Sequence, residues 1–500
     1  MSRALRLAAG NAGELDASVA RPRYDWPRRG VGIVHFGVGA FMRAHTAVYC
    51  DDAMAAAGGD WRIAGVSLRS GRVREQLAPQ DCLYTVCELE DGKATRRLIG
   101  AIASLHVLPE APDETAALLA APPIRIVTLT VTEKGYCLDP ATGDLDLRNP
   151  GVWHDIGTPR EPQTAIGLLA AGLHERMRRG LAAPAVVSCD NLPGNGSRLR
   201  RAVLQFAGET DPALRAWIEN EVAFPGTMVD RIVPATTEED IAGTARATGL
   251  RDAAAVKCEP FRQWVIEDDF RQGRPQWEAG GALIVPGVEP YESCKLRLLN
   301  GAHSTLAYLG CLAGFTFVHE LMRERHFAQF TGYMMTREIS PVTPEPKGMQ
   351  HADYIEELLR RFANPALAHR TRQIAMDGSQ KLPQRLLATL RLQLRRDGPI
   401  AAMALALAGW MRYVLGRDDA GREIEVSDPL ATRFAEIAAR GTGCSPRETA
   451  LAFLSIEQIF GTDLRKNGRL LSVVGEFLMQ LEDAGASATV RRFVELEGEA

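Results

Sequence analysis

The sequence GVGIVHFGVG, residues 30–39, combines a short apolar run with closely spaced glycines. Its apolar run predicts a buried β-strand, and Gly37 and Gly39 follow at the point where the strand must turn. The next residues, AFMRAHTAVYCDDAMAAA (40–57), have the apolar content and length of a helix. A strand, a glycine turn and a helix in this order form the first unit of a doubly wound α/β fold.

Three later stretches in the first half also predict short apolar strands within a strand–helix alternation. They are WRIAGVSLRS (61–70), IRIVTLTVTEKG (124–135) and APAVVSCDNLPGNG (183–196). Alternating strands and helices build a mostly parallel sheet with helices on both faces. The first half therefore predicts a Rossmann-like, doubly wound domain.

The second half changes to helical periodicity with few strand-like runs. The predicted helices lie in CKLRLLNGAHSTLAYLGCLAGF (294–315), YIEELLRRFA (354–363), KLPQRLLATLRLQLRR (381–396), AAMALALAGWMRYVL (401–415) and GEFLMQLEDAG (475–485). Since 500 residues exceed what one core usually serves, we expect two domains. VPGVEPYES (285–293) is the predicted crossing between a dinucleotide-binding domain, 1–285, and a mainly α-helical substrate and catalytic domain, 286–500.

Composition and charge exclude several classes of function. A net charge of -4 and a pI near 6.3 give no reason to expect nucleic acid or an anionic membrane as partner. The nine cysteines are an odd number without zinc-ligand spacing, so neither a disulfide framework nor a zinc site is expected. The longest apolar run, 401–411, is too short to span a bilayer. We expect a cytoplasmic monomer or small homo-oligomer that binds a small molecule.

The glycine turn predicts a dinucleotide cofactor. In such folds the first glycine permits the tight turn, and the second lets the backbone approach the pyrophosphate. The usual third glycine is replaced by Met42. The second strand ends without the acidic residue that binds the ribose of NAD, and Arg69 and Arg72 stand there instead. These arginines would suit the 2′-phosphate of NADP, or they are solvated loop residues, so NAD and NADP both stay open.

The run KLRLLNGAHS (295–304) carries three polar groups in an otherwise apolar helix. At about 100° per residue, Lys295, Asn300 and His303 can all face one cleft. The alternative is a solvated lysine, a helix-terminating Asn-Gly and a histidine satisfied within the core. Both interpretations stay open on these ten residues alone.

Two known catalytic arrangements compete for Lys295. Tyr291 and Lys295 form the Tyr-x-x-x-Lys of short-chain dehydrogenases, but this chain is about twice as long and no serine stands in the expected place upstream, so we interpret Tyr291 as coincidental. A zinc alcohol dehydrogenase would need a metal-ligand set that does not appear. A metal-free hydride transfer remains, with a desolvated lysine moving the proton and asparagine amides stabilising the alkoxide.

Five longer motifs resemble the polyol-specific long-chain dehydrogenase family, also called the mannitol dehydrogenase family. They are CDNLPGNG (189–196), PGTMVDRIVP (225–234), CEPFRQWVIEDDF (258–270), KLRLLNGAHSTLAYLG (295–310) and MDGSQKLPQRLL (376–387). The resemblance runs from about residue 22 to beyond residue 470. It implies an NAD(P)-dependent oxidoreductase that needs no metal.

The resemblance also implies a role for each matching position. Lys295 would be the general acid/base, Asn191 and Asn300 would polarise the substrate oxygen, and His303 would bind a substrate hydroxyl or orient the lysine. Val229 and Asp230 would lie near the nicotinamide ribose. The implied pyrophosphate loop comprises Ile33, Val34, His35, Phe36, Gly37, Val38, Gly39, Ala40, Phe41, Met42, Arg43 and Ala44.

Within this family the chain is more similar to fructuronate reductases than to mannitol dehydrogenases. The similarity is carried by VTEKGYC (131–137), FRQWVIEDDF (261–270), QIAMDGSQKLPQR (373–385) and AGWMRY (408–413). The implied reaction interconverts a 2-keto sugar acid and its alcohol, D-fructuronate and D-mannonate. A carboxylate substrate needs cations in its pocket, for which Lys381 and Arg385 are the candidates, although both could be ordinary surface charges.

Two alternatives to this function stay open. One is a mannitol 2-dehydrogenase or a related hexitol or pentitol dehydrogenase. The other is a catalytically silent nucleotide or sugar sensor on the same fold, against which the Lys295, Asn300 and His303 set argues, because a binding protein needs no general base.

Overall fold

The computed structural model describes residues 5–90, 92–139, 142–440 and 444–497. The chain divides into two compact units, Met1–Glu289 and Pro290–Ala500. The predicted domain boundary, after residue 285, lies close to this division.

The first unit is built on a five-stranded parallel sheet. Its strands are β1 (Val31–Phe36), β2 (Arg62–Ser67), β3 (Ile102–Val107), β4 (Ile126–Leu129) and β5 (Ala185–Ser188). They lie side by side in the order β3-β2-β1-β4-β5, and every neighbouring pair is parallel. This order is that of the first five strands of the dinucleotide-binding fold, so the Rossmann-like prediction is confirmed.

The strand β1 is apolar along its length because it is buried on both faces. Ile33 packs with Met42 in one hydrophobic core, and Val34 and Phe36 pack in a second core with Leu129. Alternate side chains of a strand point to opposite faces of the sheet. The strand therefore joins two cores, as a central parallel strand with helices on both faces requires.

Helices and two smaller sheets complete the first unit. The α-helices are Ala40–Ala44, Thr46–Ala57, Arg72–Leu77, Pro112–Leu119, Pro150–Gly157, Ala165–Arg178, Asn195–Thr210, Pro212–Glu221 and Glu238–Thr248. One smaller sheet joins Val19–Ala20, Lys93–Ile99, Tyr84–Glu90 and Val256–Cys258, and the other joins Leu283–Val285, Gln263–Glu267 and Thr227–Asp230.

The single helix predicted over residues 40–57 was wrong, because the structure interrupts it at His45. The backbone there has φ −121° and ψ −82°, outside the helical region. The His45 ring is fully buried, and its Nε2 donates to the Gln263 carbonyl oxygen at 2.9 Å. The turn after β1 therefore leads into one short helix, Ala40–Ala44, and then into Thr46–Ala57.

The second unit is mainly helical, as predicted. Its α-helices are Glu289–Cys294, Gly301–Leu312, Val318–Arg323, Arg325–Tyr333, His351–Ala363, Thr371–Ala375, Gly378–Leu382, Ala388–Arg395, Ala401–Val414, Ala431–Arg440, Pro446–Leu454, Glu457–Phe460 and Gly468–Glu497, the last kinked at Gly485. Three further turns are π-helical: Lys295–Asn300, Met334–Ile339 and Pro383–Leu387. The apolar Ala401–Val414 helix is a buried core helix, and none of the described helices is long and apolar enough to cross a membrane.

Candidate functional site

The turn after β1 needs glycine at its first position. Gly37 has φ +92°, and its N–H donates to the Val66 carbonyl oxygen at 2.9 Å. A Cβ at Gly37 would lie 2.1 Å from the Thr130 carbonyl oxygen. Gly39 differs, because its φ is an ordinary −79° and a Cβ there would meet no atom within 4 Å. Gly37 makes the turn possible, and Gly39 borders open space through which a pyrophosphate could approach the backbone.

The other residues predicted for this loop mostly support the turn. The side chains of Ile33, Val34, His35 and Phe36 are fully buried. The His35 ring is held by the Thr128 and Thr130 hydroxyls, at 2.7 Å from Nδ1 and 2.9 Å from Nε2. Burial lowers the pKa of His35 to about 3, so its ring is neutral.

The remainder of the predicted loop is also largely inside the unit. Met42, which stands where the usual pattern has its third glycine, is fully buried. Ala44 is also fully buried, and Val38 is 3% exposed. The Arg43 guanidinium donates to the Ala254 carbonyl oxygen and lies 5.9 Å from the Tyr84 ring centroid. Arg43 therefore ties the short helix to the fold, and Gly37, Gly39, Ala40 and Phe41 are the predicted loop residues that remain at least partly exposed.

Asn191 lies at the same edge of the sheet as the glycine turn. It follows β5, whose carboxyl end carries Asp190, and its side chain is exposed. The Asp190 carboxylate accepts N–H groups of Val131 and Thr132 at 2.8 and 2.9 Å and the Tyr136 hydroxyl at 2.7 Å. Ligands of open α/β sheets bind at this edge, and the Asp190 bonds fix the loop from which Asn191 projects.

The surroundings of Asp190 also affect the protonation of its carboxylate. Burial raises the pKa of Asp190, although the hydrogen bonds it accepts act in the opposite direction. The loop is further fastened by Asn195, whose amide donates to the Asp190 and Thr227 carbonyl oxygens at 3.1 and 2.9 Å. Asn191 thus stands on a rigid support.

The predicted cofactor residues outside the glycine turn form two groups, one buried and one exposed. Val229 and Asp230 are each 4% exposed and lie in the Thr227–Asp230 strand, which pairs antiparallel with Gln263–Glu267. Arg69 and Arg72 are exposed just beyond the carboxyl end of β2. The predicted roles of both groups, near the ribose and at a 2′-phosphate, stay predictions.

In the second unit, Lys295 and Asn300 occupy a π-helical turn and not the α-helix on which the 100° spacing was based. Both side chains are buried, with 5% and 8% exposed. A π-helix bonds residue i to i+5, so the two residues are separated by about one turn and lie on one face. Such turns are rare, and they occur often at functional sites.

His303 follows in the first turn of the Gly301–Leu312 helix. Its ring stacks on Phe362, with centroids 5.1 Å apart and planes inclined by 26°. Its Nε2 lies 3.3 Å from Nδ1 of His369. Burial lowers the pKa of His303 well below its usual range, and His369 and three cations, Arg385, Arg361 and Lys381, lower the pKa further. The ring is therefore neutral and stands in a positive field.

Arg385 approaches the Lys295–Asn300 turn through its own π-helical turn, Pro383–Leu387. A Cβ at Gly301 would lie 2.9 Å from the Arg385 carbonyl oxygen, so glycine permits this close packing. The Arg385 Nη1 donates to Ser304 Oγ at 2.9 Å. The Lys381 ammonium donates to the Ile374 and Met376 carbonyl oxygens at 3.3 and 2.5 Å. Two hydrogens of Lys381 thus orient the preceding loop.

The second unit therefore brings Lys295, Asn300, His303 and Arg385 into adjoining segments, with Lys381 near enough to act on the charge of His303. Sequence reasoning missed Arg361 and His369, which lie in or after YIEELLRRFA and have no motif that marks them. Tyr291, interpreted as coincidental, is buried and donates to the Lys347 carbonyl oxygen at 2.6 Å. Within the described residues no group of three or more His, Cys, Asp or Glu could hold a metal ion.

Sequence profiles match both units of the chain. The profile described as Mannitol dehydrogenase Rossmann domain matches residues 31–279. The profile described as Mannitol dehydrogenase C-terminal domain matches residues 287–482. Together the two matches cover most of the chain.

Similar proteins agree with these profiles. The uncharacterized oxidoreductase YeiQ of Escherichia coli (strain K12) is 46% identical, over 94% of this chain and 96% of that protein. The D-mannonate oxidoreductase of the same organism is 44% identical, over 94% and 97%. Among solved structures, the Pseudomonas fluorescens mannitol 2-dehydrogenase complex with NAD and D-mannitol has a TM-score of 0.85 and 36% identity, and the match covers 98% of this chain and all of that one.

Proposed function

Because the chain belongs to the mannitol dehydrogenase family, we propose that it interconverts D-fructuronate and D-mannonate. At a coarser level it is an NAD-dependent dehydrogenase that acts on a CH–OH group of a polyol or sugar acid. The finer proposal concerns the substrate, which is either a hexuronate or an uncharged polyol. Similarity to relatives of both kinds leaves that choice to the chemistry of the pocket.

The observation that carries the uronate proposal is the positive surrounding of His303. The charged groups that act most strongly on its ring are Arg385, Arg361 and Lys381, all cations. Uncharged polyols need no such field, whereas a carboxylate is bound well by guanidinium and ammonium groups. Since His303 is a proposed substrate contact, the carboxylate would lie close to the hydroxyl that His303 binds.

The first unit has the features that a bound NAD would need. The strand order, the positive φ of Gly37 and the open space beside Gly39 fit a dinucleotide whose pyrophosphate lies over the turn. When bound in its reduced form, the cofactor supplies a hydride to the keto carbon. We keep NAD as the proposed cofactor, and Arg69 and Arg72 leave NADP as an outcome to measure.

The side chains of the chain supply the proton and hold the charge. As the carbonyl is reduced, Lys295 donates a proton from its ammonium to the new alkoxide oxygen, and in the reverse direction its neutral amine removes that proton. The Asn300 amide, on the same π-helical turn as Lys295, donates a hydrogen bond to that oxygen, as the family resemblance implies.

The experiment that tests the uronate proposal is an Arg385→Gln substitution assayed with two substrates. We expect kcat/KM for D-fructuronate with NADH to fall about 100-fold, because a charge-assisted hydrogen bond to the carboxylate is lost. The slower reaction with D-fructose should change little. Arg395→Gln, at an exposed position of the next helix, is the matched control and should leave both reactions unchanged.

Two outcomes would overturn the proposal. One is an equal loss with both substrates in Arg385→Gln, which would assign the arginine to the fold and not to the carboxylate. The other is a wild-type preference for D-fructose, which would assign the chain to the mannitol 2-dehydrogenase alternative.

A further inference from the structure

The His303 ring contacts two other rings, those of Phe362 and His369. Phe362 stacks on one face of the imidazole at a centroid distance of 5.1 Å. The His369 ring lies beside it, with centroids 5.2 Å apart and a single close approach of 3.3 Å between His369 Nδ1 and His303 Nε2. Since the two nitrogens are much closer than the centroids, they point toward each other, as in a hydrogen bond between imidazoles.

This contact leaves one ring nitrogen of His303 for a substrate. Nε2 is engaged by His369, while Nδ1 has no hydrogen-bond partner in the part of the chain that the structure describes. Burial lowers the pKa of His369 to about 4, and that of His303 lies well below its usual range. Between two neutral imidazoles one nitrogen must donate and the other accept, so the tautomers of the two rings are coupled.

The backbone around His369 is held in place on both sides. Its carbonyl oxygen accepts the Val318 N–H at 3.0 Å, and the Thr371 N–H donates to the Thr316 carbonyl oxygen at 3.0 Å. Ala368, just before it, is in the left-handed region with φ +45°. These bonds fix the backbone position from which the His369 ring reaches His303.

We propose that His369 is a positioning residue that fixes the orientation and tautomer of His303, and so decides whether His303 Nδ1 donates to or accepts from a substrate hydroxyl. If His369 Nδ1 carries the hydrogen, His303 carries its own on Nδ1 and donates to the substrate. If His303 Nε2 carries the hydrogen, Nδ1 accepts from the substrate. The proposal rests on the proposed function, in which His303 contacts the substrate.

The kinetic experiment compares His303→Phe, His369→Phe, the double variant and His369→Asn, with His326→Phe as control. We expect His369→Phe to lower kcat/KM about tenfold or more, since misorientation of a substrate-binding group is costly. His369→Asn keeps an amide near the Nδ1 position and should recover most of the activity. In the His303→Phe background, His369→Phe should cause no further loss, because it acts only through His303.

The outcomes separate this inference from the function on which it rests. If His303→Phe leaves kcat/KM unchanged, the substrate contact in the proposed function is wrong. If His303→Phe is slow but His369→Phe is as active as wild type, or if the two losses multiply in the double variant, the positioning role is wrong. His326→Phe should match wild type, since His326 lies on the Arg325–Tyr333 helix and has no part in the proposed site.

A spectroscopic readout keeps the test valid if His369→Phe does not fold. Nitrogen-15 spectra of the imidazoles, with the His303 signals assigned from His303→Phe, should show one dominant neutral tautomer of His303 in the wild type. In His369→Leu, or in His369→Phe if it folds, those signals should shift toward a mixture of both tautomers. Unchanged His303 signals in a folded variant would overturn the proposal.

Discussion

The turn after β1 and the Lys295–Asn300 turn differ in which part of the chain defines them, the backbone in one and the side chains in the other. The first is defined by backbone: Gly37 is required because Thr130 lies 2.1 Å from where its Cβ would be, and Gly39 opens onto free space. The second is defined by side chains held on a π-helical turn, where Lys295 and Asn300 are buried and His303 is fixed by neighbouring rings. A pyrophosphate needs amide groups and room, whereas proton transfer needs particular functional groups in fixed positions.

The difference predicts how each region responds to substitution. A change at the backbone turn should alter folding or cofactor affinity, whereas a change in the side-chain cluster should alter turnover and substrate choice while cofactor binding survives.

Lys295→Met should abolish most of the turnover. Loss of the general acid/base is expected to lower kcat by about 1000-fold or more, while NADH still binds to the first unit. Steady-state kinetics and NADH fluorescence titration measure the two effects separately. The exposed Lys466→Met is the matched control. Turnover within tenfold of wild type in Lys295→Met would contradict the proposed mechanism.

Gly37→Ala should lower stability and Gly39→Ala should weaken cofactor binding, although the two positions are only two residues apart. Gly37→Ala combines a positive φ with a backbone collision and should lower the free energy of unfolding by at least about 3 kcal/mol. Gly39→Ala should fold normally but weaken NADH binding roughly tenfold, a loss of about 1.4 kcal/mol. Urea unfolding and NADH titration measure these effects. Equal stability in the two variants would remove the distinction between their roles.

A second π-helical turn, Met334–Ile339, contains none of the predicted site residues and serves as a comparison for the Lys295–Asn300 turn. Its Glu338 is fully buried and accepts the Ala402 and Met403 N–H groups at 2.7 and 2.8 Å, at the beginning of a core helix. Burial raises the pKa of Glu338 to about 7 from its ordinary 4.5. The folded state thus binds this proton more tightly than the unfolded state, so the stabilisation is complete below about pH 4.5 and is lost as the pH rises through 7.

The predicted consequence is a fall in the free energy of unfolding between pH 5 and pH 8, to which Glu338 contributes up to about 3 kcal/mol. Glu338→Gln, which carries no titratable group, should show a smaller fall over this range and should keep the substrate preference of the wild type. Urea midpoints at the two pH values check the first point. The same pH dependence in both proteins would show that Glu338 does not titrate there.

The contrast between the two regions also explains which parts could be predicted from sequence. GVGIVHFGVG predicted β1 and its turn because a short apolar strand and a positive-φ glycine leave local signals. The hairpin of Tyr84–Glu90 and Lys93–Ile99 was not predicted, because its second strand, KATRRLI, is partly charged and exposed and lacks an apolar pattern. The break at His45 was not predicted either, since the ring of that residue bonds to Gln263, far away along the chain, and such a contact leaves no local signal.

In the second unit the sequence predicted the polar residues but not their arrangement. Apolar periodicity cannot distinguish one π-helical turn from the α-helix around it, so the angles between Lys295, Asn300 and His303 were derived for the wrong helix. His369 follows a loop and carries no motif, and only its contact with His303 makes it a candidate. Assigning roles to the polar residues required the family resemblance, because side-chain clusters form from segments distant in sequence.

The uronate assignment is tested by the ratio of kcat/KM for D-fructuronate to that for D-fructose, with NADH in excess. The cations around His303 predict a ratio of about 100 or more, since they should hold the carboxylate that fructose lacks. A ratio well below one would contradict the uronate assignment and make the chain a polyol dehydrogenase.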